Sequence, residues 1–317
     1  MARLGRLRTI ESLYIRDYRL LWLGQLSTSS GQWMDQVTRG YLMYQLTNGN
    51  AFDVGAVTAM RGLPLLLFGV VAGALADRSG RKAQLIIAQV TNAILNAILA
   101  TLVVTGLVQP WHVYVTAFLA GTVQAFQQPA RQTLVSDIVG NDKLMNALAL
   151  NSAALNGSRV FGPGVAGALI VFLGVSRSYY LQAVMYAIAT IWTIQMRVPA
   201  PHTDRQARQR ESFFASISNG LVYVAKQPNI RAQLILALGP LTFGMAYTSM
   251  MPIVALDVLH GNAGTQGLLL SCIGAGALSG ALIVATMRRS YAYGLSVVIG
   301  ALAFCGGVIL FASSHWV

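Results

Sequence analysis

Thr28, Gln32, Asp35 and Arg39 are spaced four, three and four residues apart. At 100° per residue they fall within an arc of about 60°, so a helix would carry them as one polar stripe. Asp35 stands four residues before Arg39, the favourable order for an ion pair along a helix. The stripe lies inside an apolar stretch over 20–46. A charge at mid-bilayer costs about 2.5–3.5 kcal/mol on insertion scales, so such residues face a bundle interior or a water-filled path. Arg61 and Arg159 sit in two further apolar stretches with no acid close by in sequence. Two chemistries suit this set. Asp35 takes up and releases a proton while Arg39 holds it in place, or Asp35 and Arg39 neutralise each other while the other arginines reach the interface or bind carbonyls. Gln124 and Gln128, with Gly121 and Arg131, and Asn156 in the next stretch, either line the same path or bond neighbouring helices. Three arginines against one aspartate leave these stretches net positive, which favours an anionic or neutral amphiphile over a simple cation.

Bond-making chemistry has no support in the chain. No His-Glu-x-x-His, Gly-x-Ser-x-Gly or phosphate-cradling Gly-x-x-x-x-Gly-Lys-Ser/Thr occurs. His112, His202, His260 and His315 show no ligand spacing. Cys272 and Cys305, the only cysteines, fall within apolar stretches and read as small packers. The expectation is a non-enzyme with no metal, no cofactor and no disulfide framework.

The elements that must position the polar stripe are membrane helices. The chain is 55% hydrophobic and 10% charged, where a soluble domain carries roughly 25% charged residues. Its net charge of +12 would suit nucleic acid, but the cations sit in short loops between apolar runs. A span needs about 20 apolar residues. Nine candidates follow: 20–46, 54–76, 83–107, 111–134, 148–173, 179–197, 231–257, 265–287 and 294–313. With the N terminus inside, eighteen of the 22 Lys and Arg lie on the cytoplasmic side and only Arg177 on the other. The positive-inside rule then sets the orientation.

Residues 1–19 are basic and amphipathic and lack a cleavage site, which places them on the inner membrane surface. The longest polar break, 199–212, is rich in Arg, Gln and Pro, and 213–232 suits a surface helix. The expected organisation is a surface segment over 1–19, a six-helix half over 20–197, a cytoplasmic linker over 198–230, and a second half beginning at 231.

Between spans two and three stands Gly73-x-x-x-Asp77-Arg78-x-Gly80-Arg81-Lys82. This hairpin resembles the signature of the major facilitator superfamily. A plain positive-inside loop needs Arg and Lys, but neither the Asp nor the spaced glycines. Physically, Gly73 lets another helix approach, Gly80 permits a tight turn, and Arg81 and Lys82 face anionic headgroups. The resemblance implies a conformational latch: Asp77 matches the family's Asp, and Arg131 is its candidate partner on the fourth helix. In the family that Asp also faces an eleventh helix, which would lie beyond Val317.

Span five carries Asn151, Asn156, Arg159, Gly162-Pro163-Gly164 and Gly167, similar to a Gly-Pro motif that the family associates with exporters. The physical alternative is a bent helix that packs well, with no bearing on direction. The run from Tyr18 to Gln25, the segments 121–132 and 146–167, and Met251-Pro252 through Asp257-Val258-Leu259, followed by Gly267-Leu268-Leu269, resemble the macrolide-efflux and siderophore-exporter branch. The Arg that many proton antiporters carry four residues before a Gly in helix four falls at Ala117, so the resemblance supplies no coupling Arg there. Gly276-x-x-x-Gly280, with Gly274 and Ser279, reads as close packing, and Gly239-Pro240 and Met251-Pro252 as bends.

Such transporters consist of two six-helix halves of three-helix repeats. The expected fold is therefore an all-α polytopic membrane protein with nine of twelve helices, the last three missing. The expected function is ion-gradient-driven export of amphiphilic small molecules (drug, macrolide or siderophore) by alternating access from the bacterial inner membrane. The partners are that cargo, a coupling ion taken to be the proton, and lipid, but not nucleic acid. A solute importer of the same superfamily and a truncated non-transporting membrane protein are the alternatives.

Overall fold

The computed structural model describes residues 8–76, 80–198, 246–286 and 293–313, with a few residues between 222 and 231. A short 3₁₀ helix, Arg8–Tyr14, precedes α1 (Arg16–Leu46), α2 (Ala51–Ala76), α3 (Arg81–Val104), α4 (Pro110–Leu173) and α5 (Val175–Gln195). Short turns Ala246–Ser249 and Met251–Ile253 and a π-helical turn, Val254–Val258, lead to α6 (Ala263–Thr286) and α7 (Tyr293–Ser313). No strand occurs among the described residues.

Most expected spans coincide with these helices to within a few residues, because apolar length is a local property. Span seven is the partial exception, since 232–245 lies outside the described residues. Its described end is interrupted at Met250 and again by the π turn, as a bend at Met251-Pro252 requires. Gly239-Pro240 lies outside the described residues. The connection expected between spans four and five is itself helical. α4 runs through both spans, broken only at Gly140, whose φ of 68° and ψ of 176° divide it into two limbs. A side chain at that φ would be strained, so the glycine is what permits the break.

Burial is inverted relative to a water-soluble bundle. Leu66 and Phe172 are each 81% exposed, while Gln25, Thr28, Asp35, Arg39, Gln89 and Asn92 are buried. That inversion is what a lipid solvent selects. Ala51–Gly69, Arg81–Val104, Asp142–Leu173 and Ala263–Ile283 are long and apolar enough to cross a membrane on composition alone. α1 is not among them, and its polar residues explain why: Ser29, Asp35, Thr38 and Arg39 are turned inward. Cys272 and Cys305, expected as small packers inside apolar spans, are both exposed among the described residues.

Two compact units result, one of 1–199, 249–288 and 315–317, the other of 200–248 and 289–314. In the first, Tyr18, Leu21, Leu85, Leu134, Val139 and Met196 form an apolar cluster that joins α1, α3, α4 and the end of α5. The Tyr18 hydroxyl donates to the Ala147 carbonyl at 2.7 Å, and Trp22 Nε1 to that of Leu150 at 2.8 Å. In the second, Tyr247 packs its ring on Phe304 and Phe311 of α7, with centroids 6.3 Å apart in each pair.

Glycines set the closest helix approaches in the first unit. A Cβ on Gly121 would stand 2.1 Å from the Arg61 carbonyl oxygen, so α2 crosses α4 there. One on Gly162 would meet Trp33 at 2.8 Å, and one on Gly167 the Ala263 carbonyl at 2.6 Å. From the opposite side, Gly267 faces the Pro163 carbonyl and Gly274 that of Arg159, each at 2.5 Å. The contact face of α6 therefore uses Gly267 and Gly274, seven residues apart. Gly276 and Gly280 have nothing within 4 Å among the described residues, whereas Gly274, expected with them as close packing, does pack.

Candidate functional site: a buried charge cluster on α1, α2 and α4

Asp35 is 4% exposed and accepts from two guanidinium groups. Arg39 Nε donates to Oδ2 at 3.1 Å and Nη2 to Oδ1 at 3.0 Å, a bidentate pair one helical turn along α1. Arg61 Nη1, from α2, also donates to Oδ2. The remaining Arg39 nitrogen donates to Thr116 Oγ1 at 2.8 Å and to the Val113 carbonyl at 3.2 Å, both on α4. One carboxylate thus ties three helices together. Sequence reasoning left Arg61 without an acid. The structure supplies one 26 residues away, because the α1–α2 turn at Asn48 and Gly49, both with positive φ, folds α2 back beside α1.

Two cations hold one acid, so the cluster carries a net positive charge in a low-dielectric interior. Removing the acid would leave the buried Arg39 guanidinium and the half-buried one of Arg61 without a counter-charge. Of the pair, Arg61 is the more accessible, its side chain 21% exposed against 5% for Arg39. Asp35 and Arg61 therefore make an ion pair between α1 and α2 whose cation is partly exposed.

Other expected pathway residues lie around this centre without joining it. Gln32, Gln124 and Gln128 are half-buried. Asn156 donates to the Ser152 carbonyl at 2.9 Å within its own helix. The Arg159 guanidinium stacks over Trp33, 5.3 Å from the ring centroid, a cation–π contact with α1. A second polar cluster went unnoticed in the sequence: Thr38 Oγ1 and Ser178 Oγ lie 2.9 Å apart, and Gln182 Nε2 donates to Thr38 at 3.1 Å. Its members are 140 and 144 residues apart in the chain. The one available signal was the i, i+4 spacing of Ser178 and Gln182.

The signature hairpin is described in part. Asp77 and Arg78 lie outside the described residues, and Gly73 falls within α2. Gly80 has φ −59°, an ordinary value for any residue, so the turn does not require a glycine there. Arg81 and Lys82 are not spent on headgroups: Arg81 Nη1 donates to Asp137 of α4, and Lys82 Nζ donates to the Ile194 and Met196 carbonyls, both at 2.7 Å. A loop cation beside an acid and the free carbonyls of a helix C-terminus finds better partners than lipid. Asp137 was missed because nothing in sequence spacing links it to Arg81.

Arg131 was counted with the cytoplasmic cations, yet it is 3% exposed. It sits six residues, about 9 Å of helix rise, from Asp137 along α4. Its Nη2 donates to Thr28 Oγ1 at 3.1 Å. Gly162, Pro163 and Gly167 of the span-five motif are confined to packing against α1 and α6, as described above.

Known proteins resemble the chain over most of its length. Residues 9–317 match the family described as transmembrane secretion effector. A staphyloferrin A transporter of Staphylococcus aureus is 24% identical over 256 residues, covering 80% of this chain and 63% of that protein. The enterobactin exporter EntS of Citrobacter koseri is 28% identical over 268 residues, covering 80% and 60%. The chain thus spans about three-fifths of the length of these two relatives. Among solved structures, a variant of the nucleoside transporter NupG superposes with a TM-score of 0.67 at 14% identity, covering 85% of this chain and 66% of that one. That likeness concerns the fold alone.

Proposed function

Because the chain belongs to the transmembrane secretion effector family of the major facilitator superfamily, we propose that it is an ion-gradient-driven exporter of amphiphilic small molecules. It works by alternating access from the cytoplasmic membrane, with its N terminus inside. Residues 20–197 form the six-helix first half, 198–230 a cytoplasmic linker, and 231–317 the start of the second half. The similarity to an enterobactin exporter supports the efflux direction, and with that to a staphyloferrin A transporter it supports a siderophore-like cargo.

The observation that carries this reading is the Asp35–Arg39–Arg61 cluster. A buried carboxylate held by one arginine from its own helix and one from the next is a charge switch between elements. Proton binding at Asp35 removes the negative charge that holds Arg61 and frees α2 to move relative to α1. Loss of the proton re-forms the pair. Gln32, Gln124, Gln128, Asn156 and Arg159 line the route beside it. Asp77, with the Arg81–Asp137 bridge, latches the end of the α2–α3 hairpin, and Gly162, Pro163 and Gly167 let α4 bend and close.

Everted membrane vesicles carrying the full-length gene product test the proposal. On energisation with a proton gradient, uptake of a fluorescent amphiphile is expected, abolished by a protonophore and reduced at least ten-fold in Asp35→Asn. Uptake unaffected by the protonophore, or undiminished in the variant, overturns the assignment.

A further inference from the structure

Arg131, unlike Arg39 and Arg61, forms no ion pair among the described residues. Its Nη2 is held by Thr28 Oγ1 at 3.1 Å. The Thr28 hydroxyl donates in turn to the Gly24 carbonyl at 2.9 Å. Its proton is thereby spent and its lone pairs turn to the guanidinium. Nη1 of Arg131 is buried with no hydrogen-bond partner among the described residues, and so is Gln127 Oε1, one turn away on α4. The two nearest acids along these helices are engaged elsewhere. Asp35 stands seven residues from Thr28, about 10 Å along α1, and serves Arg39 and Arg61. Asp137 stands about 9 Å along α4 and serves Arg81.

A buried guanidinium that lacks both a counter-charge and part of its hydrogen bonding is costly. In a membrane bundle such a group is kept where a ligand or a path completes it. Arginine suits the task, since its two terminal nitrogens present a fork that matches a carboxylate. Here Thr28 fixes one tine and leaves the other buried and unpaired among the described residues. The wider balance points the same way: among the described residues the fully buried charges are Arg39, Arg131 and the carboxylate of Asp35, and Asp35 also serves Arg61, so the cations are in excess.

We propose that Arg131, oriented by Thr28, is the recognition residue for a carboxylate on the transported molecule, so that the cargo is an anionic amphiphile. This deepens the exporter reading and rests on it for transport, though not for binding. Fluorescence anisotropy of the purified full-length gene product tests it, with fluorescein as the anionic probe and rhodamine 123 as a cationic probe of similar shape. Fluorescein is expected to bind at least ten-fold more tightly than rhodamine 123. Arg131→Gln should weaken fluorescein at least ten-fold while changing rhodamine 123 less than two-fold.

Equal loss of both dyes, or a wild-type preference for the cation, overturns the proposal. So does a ten-fold tightening of fluorescein in Asp77→Asn, which would identify Asp77 as the resident counter-ion. If Arg131→Gln does not yield monodisperse protein, Arg131→Lys is read instead. It keeps the charge but not the fork, and is expected to weaken fluorescein three- to ten-fold; unchanged affinity overturns the idea. Anion binding that depends on Arg131, without proton-driven uptake in vesicles, would leave this site standing and remove the exporter reading.

Discussion

At the scale of single residues, Asp35 concentrates the energetics of the interior. Breaking a buried ion pair by removing one partner costs about 3–5 kcal/mol, since the other charge is left uncompensated. Asp35→Asn strands two guanidiniums, so a destabilisation of about that size is expected in denaturant or thermal unfolding in detergent. Combining it with Arg61→Gln removes one charge of each sign. The double variant should recover much of the stability without recovering proton-driven uptake. Recovery of both would show that the cluster holds the fold together and takes no part in coupling. Arg81 and Asp137 admit a parallel test. Exchanging the two residues should restore the transport rate that either single charge reversal reduces; a swap as damaging as the single changes would remove the bridge from the latch.

At the scale of elements, small residues rather than large apolar ones set the geometry. With lipid on the outside, apolar side chains gain little by leaving it for a helix interface, and close backbone approach takes over as the source of association. Gly267 faces the Pro163 carbonyl at 2.5 Å from a built Cβ, whereas Gly276 has open space among the described residues. Gly267→Ala is therefore expected to cost about 1–3 kcal/mol, the range for overpacking. Gly276→Ala should stay within about 0.5 kcal/mol, as surface substitutions do. Thermal unfolding of both variants in the same detergent decides it, and equal effects would mean that α4 and α6 are not locked at this crossing. Pro163 belongs to the same contact. It withholds a backbone donor inside α4, and its carbonyl is the surface that Gly267 approaches.

At the scale of the molecule, the first compact unit joins α1 and α2 to residues 250–266 near the C-terminal end of α1. The Tyr44 hydroxyl donates to Asp257, and Gln266 Nε2 donates to the Val37 carbonyl at 3.4 Å. Pro252 lies 3.0 Å from a Cβ built on Gly40, and Met250 2.8 Å from one on Gly55. These contacts hold α1 and α2 to residues 250–266 through small residues, a proline and one charge-assisted hydrogen bond. In the proposed alternating-access cycle these contacts part, and the Tyr44–Asp257 bond is the most separable of them. In a background with Cys272 and Cys305 changed to serine, a cysteine at Gln32 should react with an impermeant maleimide from the outer face at least two-fold faster in Asp257→Asn. An unchanged rate would show that the glycine and proline contacts hold these elements together without the bond.

Hydropathy and charge placement are properties of short windows, and from them the sequence by itself determined a helical membrane protein, the approximate limits of its spans, and the hairpin that marks its family. It also determined the Asp35–Arg39 pair, because both partners share one helix and one face. Which cation meets which acid across helices was decided only by the tertiary structure: Arg61 with Asp35, Arg81 with Asp137. Those pairs depend on how α2 folds beside α1 and how α3 begins against α4, and no spacing rule reaches across 26 or 56 residues. The same holds for the glycines. Gly267, Gly274, Gly276 and Gly280 look alike in a string, and only the crossing with α4 selects the first two. Arg131 shows the limit most plainly. A loop cation and a buried one are the same letter near a span's end, and the packing of α4 against Thr28 of α1 put this one inside.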